Sequence, residues 1–142
     1  MRRALALVLL ACVVAACMPS ATPTPPLPTQ PTPIDYQRSG GFIGVQDHLT
    51  IDLNGHATLT RRTSAIQFDL SRDELGALQA AFQAAGFAAL PENPTPPASA
   101  ADGFSYVIMY QAHTVRTGDP SVPKRLEPVV TILNRLIDSG GQ

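Results

Sequence analysis

The residues of this chain with chemical potential are three histidines, one adjacent carboxylate pair, a few serines and two cysteines. His48, His56 and His113 would suggest zinc if they stood in H-x-x-x-H or H-E-x-x-H spacing, which sets two imidazoles on one helical face. They do not. Each falls at a strand end or on a polar strand face, and they read as surface histidines. The serines lack the G-x-S-x-G elbow that lifts a nucleophile above a sheet. Asp73-Glu74 stands where a helix begins, and the helix dipole favours negative charge there. No cofactor, metal or catalytic set is indicated, so the chain reads as a non-enzyme.

Cys12 and Cys17 belong to the N-terminus. Arg2 and Arg3 form a basic start, Ala4 to Val14 an apolar run, and Val14-Ala15-Ala16-Cys17 follows at once. The run is too short to cross a bilayer as a helix and reads as a signal peptide, residues 1–16. Its last four residues resemble a bacterial lipobox, which implies cleavage before Cys17 and acylation of Cys17. An ordinary secretory signal cut nearby, or an uncleaved anchor, is the alternative. With Cys12 removed and Cys17 lipidated, the exported domain holds no thiol, so its stability rests on a hydrophobic core. Residues 17–33 hold the lipidated Cys and a Pro/Thr-rich tether, whose stretch from Pro19 to Pro33 spans up to about 45 Å as polyproline II. The implied location is the cell membrane or outer membrane, lipid-anchored and facing outside the cytoplasm.

A second group of residues invites a binding role. In Arg38-Ser39-Gly40-Gly41-Phe42-Ile43-Gly44-Val45, glycines surround two large apolar side chains. Glycine reaches φ > 0 and admits close backbone approach, so this loop can turn sharply and present Phe42 and Ile43 to a partner. Taken alone, the stretch favours the plainer reading, a wide turn whose Phe42 and Ile43 tuck into the core. It is not a phosphate cradle, because no Gly-Lys-Ser/Thr follows and the next residues alternate like a strand. With a net charge of −1 and a pI near 6.2, the chain also lacks the basic footprint of a nucleic-acid binder.

The elements that must position this loop follow from periodicity. Alternation predicts strands at 34–38, 48–52, 56–60 and 65–70. Asn54-Gly55 marks a hairpin, and a three-residue loop with Gly55 left-handed sets Ile51 opposite Ala57 and Leu49 opposite Leu59, whereas a two-residue loop would pair apolar with polar residues. Ser71-Arg72-Asp73-Glu74 is a capping box with Leu70 and Leu75 as its staple. The helix it opens runs over about 72–85, with Leu75, Leu78, Phe82 and Ala85 on one face and Gly86 left-handed at its end. After a Pro/Ala-rich loop at 91–101, the stretch 104–110 predicts an inner strand covered at least partly on both faces, paired with 113–117. Leu126, Val129, Val130, Leu133, Leu136 and Ile137 predict a last helix, with Pro128 in its first turn and Gly140 as its stop. The order β-β-β-β-α-β-β-α over residues 34–142 predicts an α+β domain: an antiparallel sheet of about four to six strands with two helices packed on one face.

Tyr36-x-Arg38-Ser39-Gly40-Gly41-Phe42-Ile43-Gly44, then the hairpin, the capped helix at Ser71, Asp102-Gly103-Phe104-x-Tyr106-x-Ile108 and the closing Leu-rich helix together resemble emfourin. That family comprises small protein inhibitors of thermolysin-like zinc metallopeptidases such as protealysin. The resemblance covers residues 34–139 and implies a monomeric inhibitor without cofactor, whose loop Ser39, Gly40, Gly41, Phe42, Ile43 and Gly44 occupies a peptidase cleft. Two departures stand out. An export signal is unusual for the family, and Ile43 replaces an expected small residue with a stiffer, β-branched one. The alternative reading is a non-enzymatic cell-envelope lipoprotein serving as a binding or structural module.

Overall fold

The computed structural model describes residues 34–94 and 102–140. The expected signal peptide, Cys17, the expected tether and most of the Pro/Ala-rich loop lie outside the described residues. The elements in chain order are β1 (Ile34–Gly40), β2 (Val45–Ile51), β3 (His56–Arg61), β4 (Ser64–Asp69), α1 (Arg72–Ala84), β5 (Phe104–Tyr110), β6 (His113–Gly118) and α2 (Glu127–Ser139). A single 3₁₀ turn at Phe87–Ala89, not expected from the sequence, follows α1.

All strands pair antiparallel in the order β4-β3-β2-β1-β5-β6. The register sets Tyr36 beside Leu49 and Ile108, Leu49 beside Leu59, and Ile108 beside Val115. Side chains directly opposite in a ladder share a face, so these apolar residues form one continuous sheet surface. Leu78 and Phe82 of α1 and Val129, Val130, Leu133, Leu136 and Ile137 of α2 close over it. Each fully buried Leu, Ile or Phe contributes about 1.5–3 kcal/mol, which is why both helices occupy the same side. The other sheet face carries Gln37, His48, Thr58, Thr60 and Arg116, and it is polar.

Local expectations held where their causes were local. The β2–β3 hairpin has Gly55 at φ +90° and pairs Ile51 with Ala57. Both capping-box bonds at Ser71 and Glu74 are present, and Gly86 is left-handed with Phe87 edge-on to Phe82, ring centroids 5.1 Å apart. Two details differ. The β1–β2 ladder runs on through Arg38, Ser39 and Gly40, pairing them with Asp47, Gln46 and Val45; an ion pair extends it beyond the apolar alternation. Strand β5 is internal as expected, but only Tyr106 and Ile108 are buried, while Ser105 and Met109 face the open side. Gly140 ends α2 as expected, with a right-handed φ of −65°. Glycine is needed there because a Cβ would come within 2.6 Å of the Phe68 ring.

Candidate functional site

Strand β1 begins at the chain's entry into the sheet and ends at the glycine stretch. The glycines are the hairpin turn between β1 and β2. Gly40 still pairs with Val45, and the Gly44 amide donates to the Gly41 carbonyl at 3.0 Å, closing a four-residue turn with Phe42 and Ile43 at its tip. Gly40, Gly41 and Gly44 have φ of +118°, +69° and +66°. These angles are open to glycine and strained for other residues.

Phe42 is 92% exposed and Ile43 81%. The plainer reading of the stretch, with both side chains in the core, is therefore overturned. The physical reason is position in the ladder: both residues lie beyond the last pair, Gly40 and Val45, where neither strand nor helix covers them. Ser39 is exposed on the open face of β1. Of the six expected loop residues, Gly41, Phe42, Ile43 and Gly44 form the turn, whereas Ser39 and Gly40 stay in β1, paired with Gln46 and Val45 on one side and with Ser105 and Phe104 on the other.

Beneath the turn lies a polar cluster that the sequence reading did not single out. Arg38 donates to Asp47 Oδ2 from Nε (3.0 Å) and Nη2 (2.7 Å), to Asn134 Oδ1 (3.2 Å) and to Asp138 (3.2 Å). Its guanidinium carbon sits 5.4 Å from the Phe104 ring centroid. Burial works against the Arg38 charge, but the hydrogen bonds and charge of Asp47, then of Asp138, hold its pKa above the ordinary value. Arg61 approaches the other Asp47 oxygen at 3.5 Å and donates to the Ile137 carbonyl at 2.7 Å. Tyr36 donates to Asn134 Oδ1 at 2.9 Å, and burial pushes its phenol far above the usual tyrosine range, so it is a permanent donor. A signal existed: Arg38 and Asp47 share the core-facing parity of Ile34, Tyr36, Leu49 and Ile51. A charge at a core-facing position needs a partner.

The histidines do not converge. His48 bonds Asp35 at 2.8 Å on the open sheet face, and His56 bonds Asp69 at a strand end. Ser39 lies on the same face as His48, yet among the described residues no hydrogen bond joins them. His113 departs from the surface reading. Its Nε2–H donates to the Leu90 carbonyl at 2.8 Å, with its ring edge-on to Phe87. Among the described residues no group of three His, Cys, Asp or Glu side chains is placed to hold a metal ion.

The family model described as Emfourin matches residues 36–134. The chain belongs to the emfourin family. The matched span opens at Tyr36 and closes at Asn134, the two residues joined by the hydrogen bond beneath the glycine turn. The Emfourin domain points to a family of metallopeptidase inhibitors, which are not enzymes. A search of curated proteins returned no match.

Proposed function

We propose that this emfourin inhibits thermolysin-like zinc metallopeptidases by inserting the turn at residues 39–44 into their active-site cleft, and that it does so outside the cytoplasm from a lipid anchor on Cys17. The observation that carries the reading is the exposure of Phe42 and Ile43 on a turn closed by its own hydrogen bond. Two large apolar side chains held in water have no folding role to explain them. Burying Phe42 in a pocket supplies about 1.5–3 kcal/mol, and a closed turn loses less conformational freedom on binding than a floppy one. The turn carries no zinc-ligating side chain, so it acts by obstruction rather than metal capture.

The anchor fits this geometry. The tether enters at Ile34, and the tip follows Gly40, so the seven residues of β1 separate them by about 20 Å. A domain held by its Ile34 end carries the tip at the far end of β1 from the tether. The deciding experiment is titration of the purified protein, freed of residues 1–17, against a thermolysin-like peptidase. Stoichiometric inhibition at or below micromolar concentration is expected; no inhibition there leaves the envelope binding module as the reading. Fatty-acid labelling that marks the wild type but not Cys17→Ala tests the anchor, and equal labelling of both refutes it.

A further inference from the structure

The Asp102-Gly103-Phe104 motif is part of the family resemblance, yet it lies about sixty residues along the chain from the turn. Its place in the sheet shows what it does. Phe104 pairs with Gly40 across β1 and β5. The Gly103 carbonyl accepts from the Gly41 amide at 3.2 Å, and it sits so close to Gly40 that a Cβ there would be 2.5 Å away. A Cβ on Gly41 would meet the Phe104 ring at 3.0 Å. The two glycines therefore lie flat on Gly103 and Phe104, with no room for a side chain between.

Phe104 is itself held from several sides. Its carbonyl accepts from the Asp119 amide at 2.9 Å and its own amide donates to Asp119 Oδ2 at 3.3 Å, an oxygen that also accepts from Tyr106 Oη at 3.1 Å. The Arg38 guanidinium covers the ring, fixed in turn by Asp47 and Asn134. A face of Phe104 stacked on a cation that is already hydrogen-bonded has little freedom to move. From the other side, Arg62 donates to the Gly44 carbonyl at 3.0 Å.

We propose that Gly103-Phe104, clamped by Arg38 and Asp119, is a brace that presets the path of residues 40–44, so that Phe104 and Arg38 are positioning residues for inhibition although neither reaches the peptidase. The proposal rests on the inhibitor reading for its functional half and on geometry alone for its structural half. A preset turn binds without first being ordered, and that saving is expressed as affinity.

Amide exchange and inhibition test the two halves separately. In Phe104→Ala the Gly41 and Gly44 amides should exchange at least ~10-fold faster while those of Leu49 and Leu59 keep their wild-type rates. Inhibition of a thermolysin-like peptidase should weaken at least ~10-fold, a loss of about 1.4 kcal/mol. Phe104→Leu, which keeps a bulky apolar group under Gly41, should retain most of both. A glycine pair serves if Phe104→Ala does not fold. Gly41 and Gly44 share almost the same φ, but a Gly44 Cβ would meet only Arg62 Nη2 at 3.8 Å. Gly41→Ala should displace the Phe104 ring proton resonances and Gly44→Ala should not. Equal displacement, or turn amides in Phe104→Ala that exchange as in wild type, overturns the brace. A wild type that inhibits nothing while exchange and ring shifts behave as expected overturns the inhibitor reading and leaves the brace standing. Inhibition undiminished in Phe104→Ala overturns the positioning role.

Discussion

The turn at Asp52–Gly55 and the turn at Gly41–Gly44 both join antiparallel strands, both use positive-φ glycine and both expose apolar side chains, but they are built by different means. The first is shaped mainly by its own residues, with one outside bond from the Leu70 amide to the Gly55 carbonyl at 2.9 Å. The Asp52 carboxylate accepts from the amides of Asn54 (2.8 Å) and His56 (2.9 Å), and Gly55 supplies the φ of +90°. The second has no side chain that bonds back to its backbone. Gly103 and Phe104 lie under it, Arg62 flanks it, and Arg38 fixes what lies under it. Leu53 on the first turn is 67% exposed, against 92% for Phe42. A turn made by local bonds can tolerate sequence around it. A turn made by distant residues has its shape dictated by the fold, which suits a tip that must meet a partner in one conformation.

The sharpest way to break the comparison is Gly40→Val. It adds a branched side chain at φ +118° and directs it at the Gly103 carbonyl. Strain and overpacking together should cost about 2–4 kcal/mol of folding stability, and inhibition should be lost with it; a denaturation midpoint close to wild type would mean the turn does not rest on Gly103. Phe42→Ala and Ile43→Ala act on the tip alone. Each should raise the inhibition constant at least ~10-fold, about 1.4 kcal/mol, with an unfolding midpoint close to wild type. Core residues would instead lose about 2–5 kcal/mol of stability on the same truncation, so chemical denaturation separates the two cases.

Ser71→Ala is the converse case, a break in a locally made device far from the tip. Removing the cap of α1 should lower stability by about 0.5–2 kcal/mol and leave the inhibition constant of the folded protein unchanged. A large change in inhibition would show that the tip depends on α1 as well as on β5.

The smallest effect is one of pH. Hydrogen bonding to Asp69, then the charges of Asp69 and Asp52, raises the His56 pKa. A raised folded-state pKa means that this contribution is fully present below the unfolded value of about 6.5 and is lost as pH rises through the folded value. Asp52 has the opposite sign. Slight desolvation opposes its charge, but the amides of His56 and Asn54 hold its pKa low, so its contribution is present above about pH 3.9 and lost as pH falls through the folded value. The turn at 41–44 contains no ionisable side chain. Between about pH 5 and about pH 8, the Asn54 and Gly55 amide resonances should follow His56, and those of Phe42 and Ile43 should stay still. His56→Gln should flatten the first response. A titrating Phe42 amide would show that the two turns are coupled.

What the amino-acid order determined by itself was whatever depends on residues a few positions apart. The Ser71–Glu74 box, the left-handed Gly86, the Leu49–Leu59 register across Asn54-Gly55 and the one-sided apolar faces of β1, β2 and α2 all follow from turn chemistry and from periods of 2 and 3.6. The family resemblance was legible too, because its motifs are short runs. Other features needed the strand order. Only when β5 lies beside β1 does Phe104 come under Gly41, and only when α2 packs across them do Asn134 and Asp138 reach Arg38. Periodicity says which face a residue takes and is silent about which strand stands next to it. For the same reason Phe42 and Ile43 looked like core residues in the sequence: apolar side chains between glycines are equally good for burial or display. The choice was made by where the ladder stops and the helices no longer cover it.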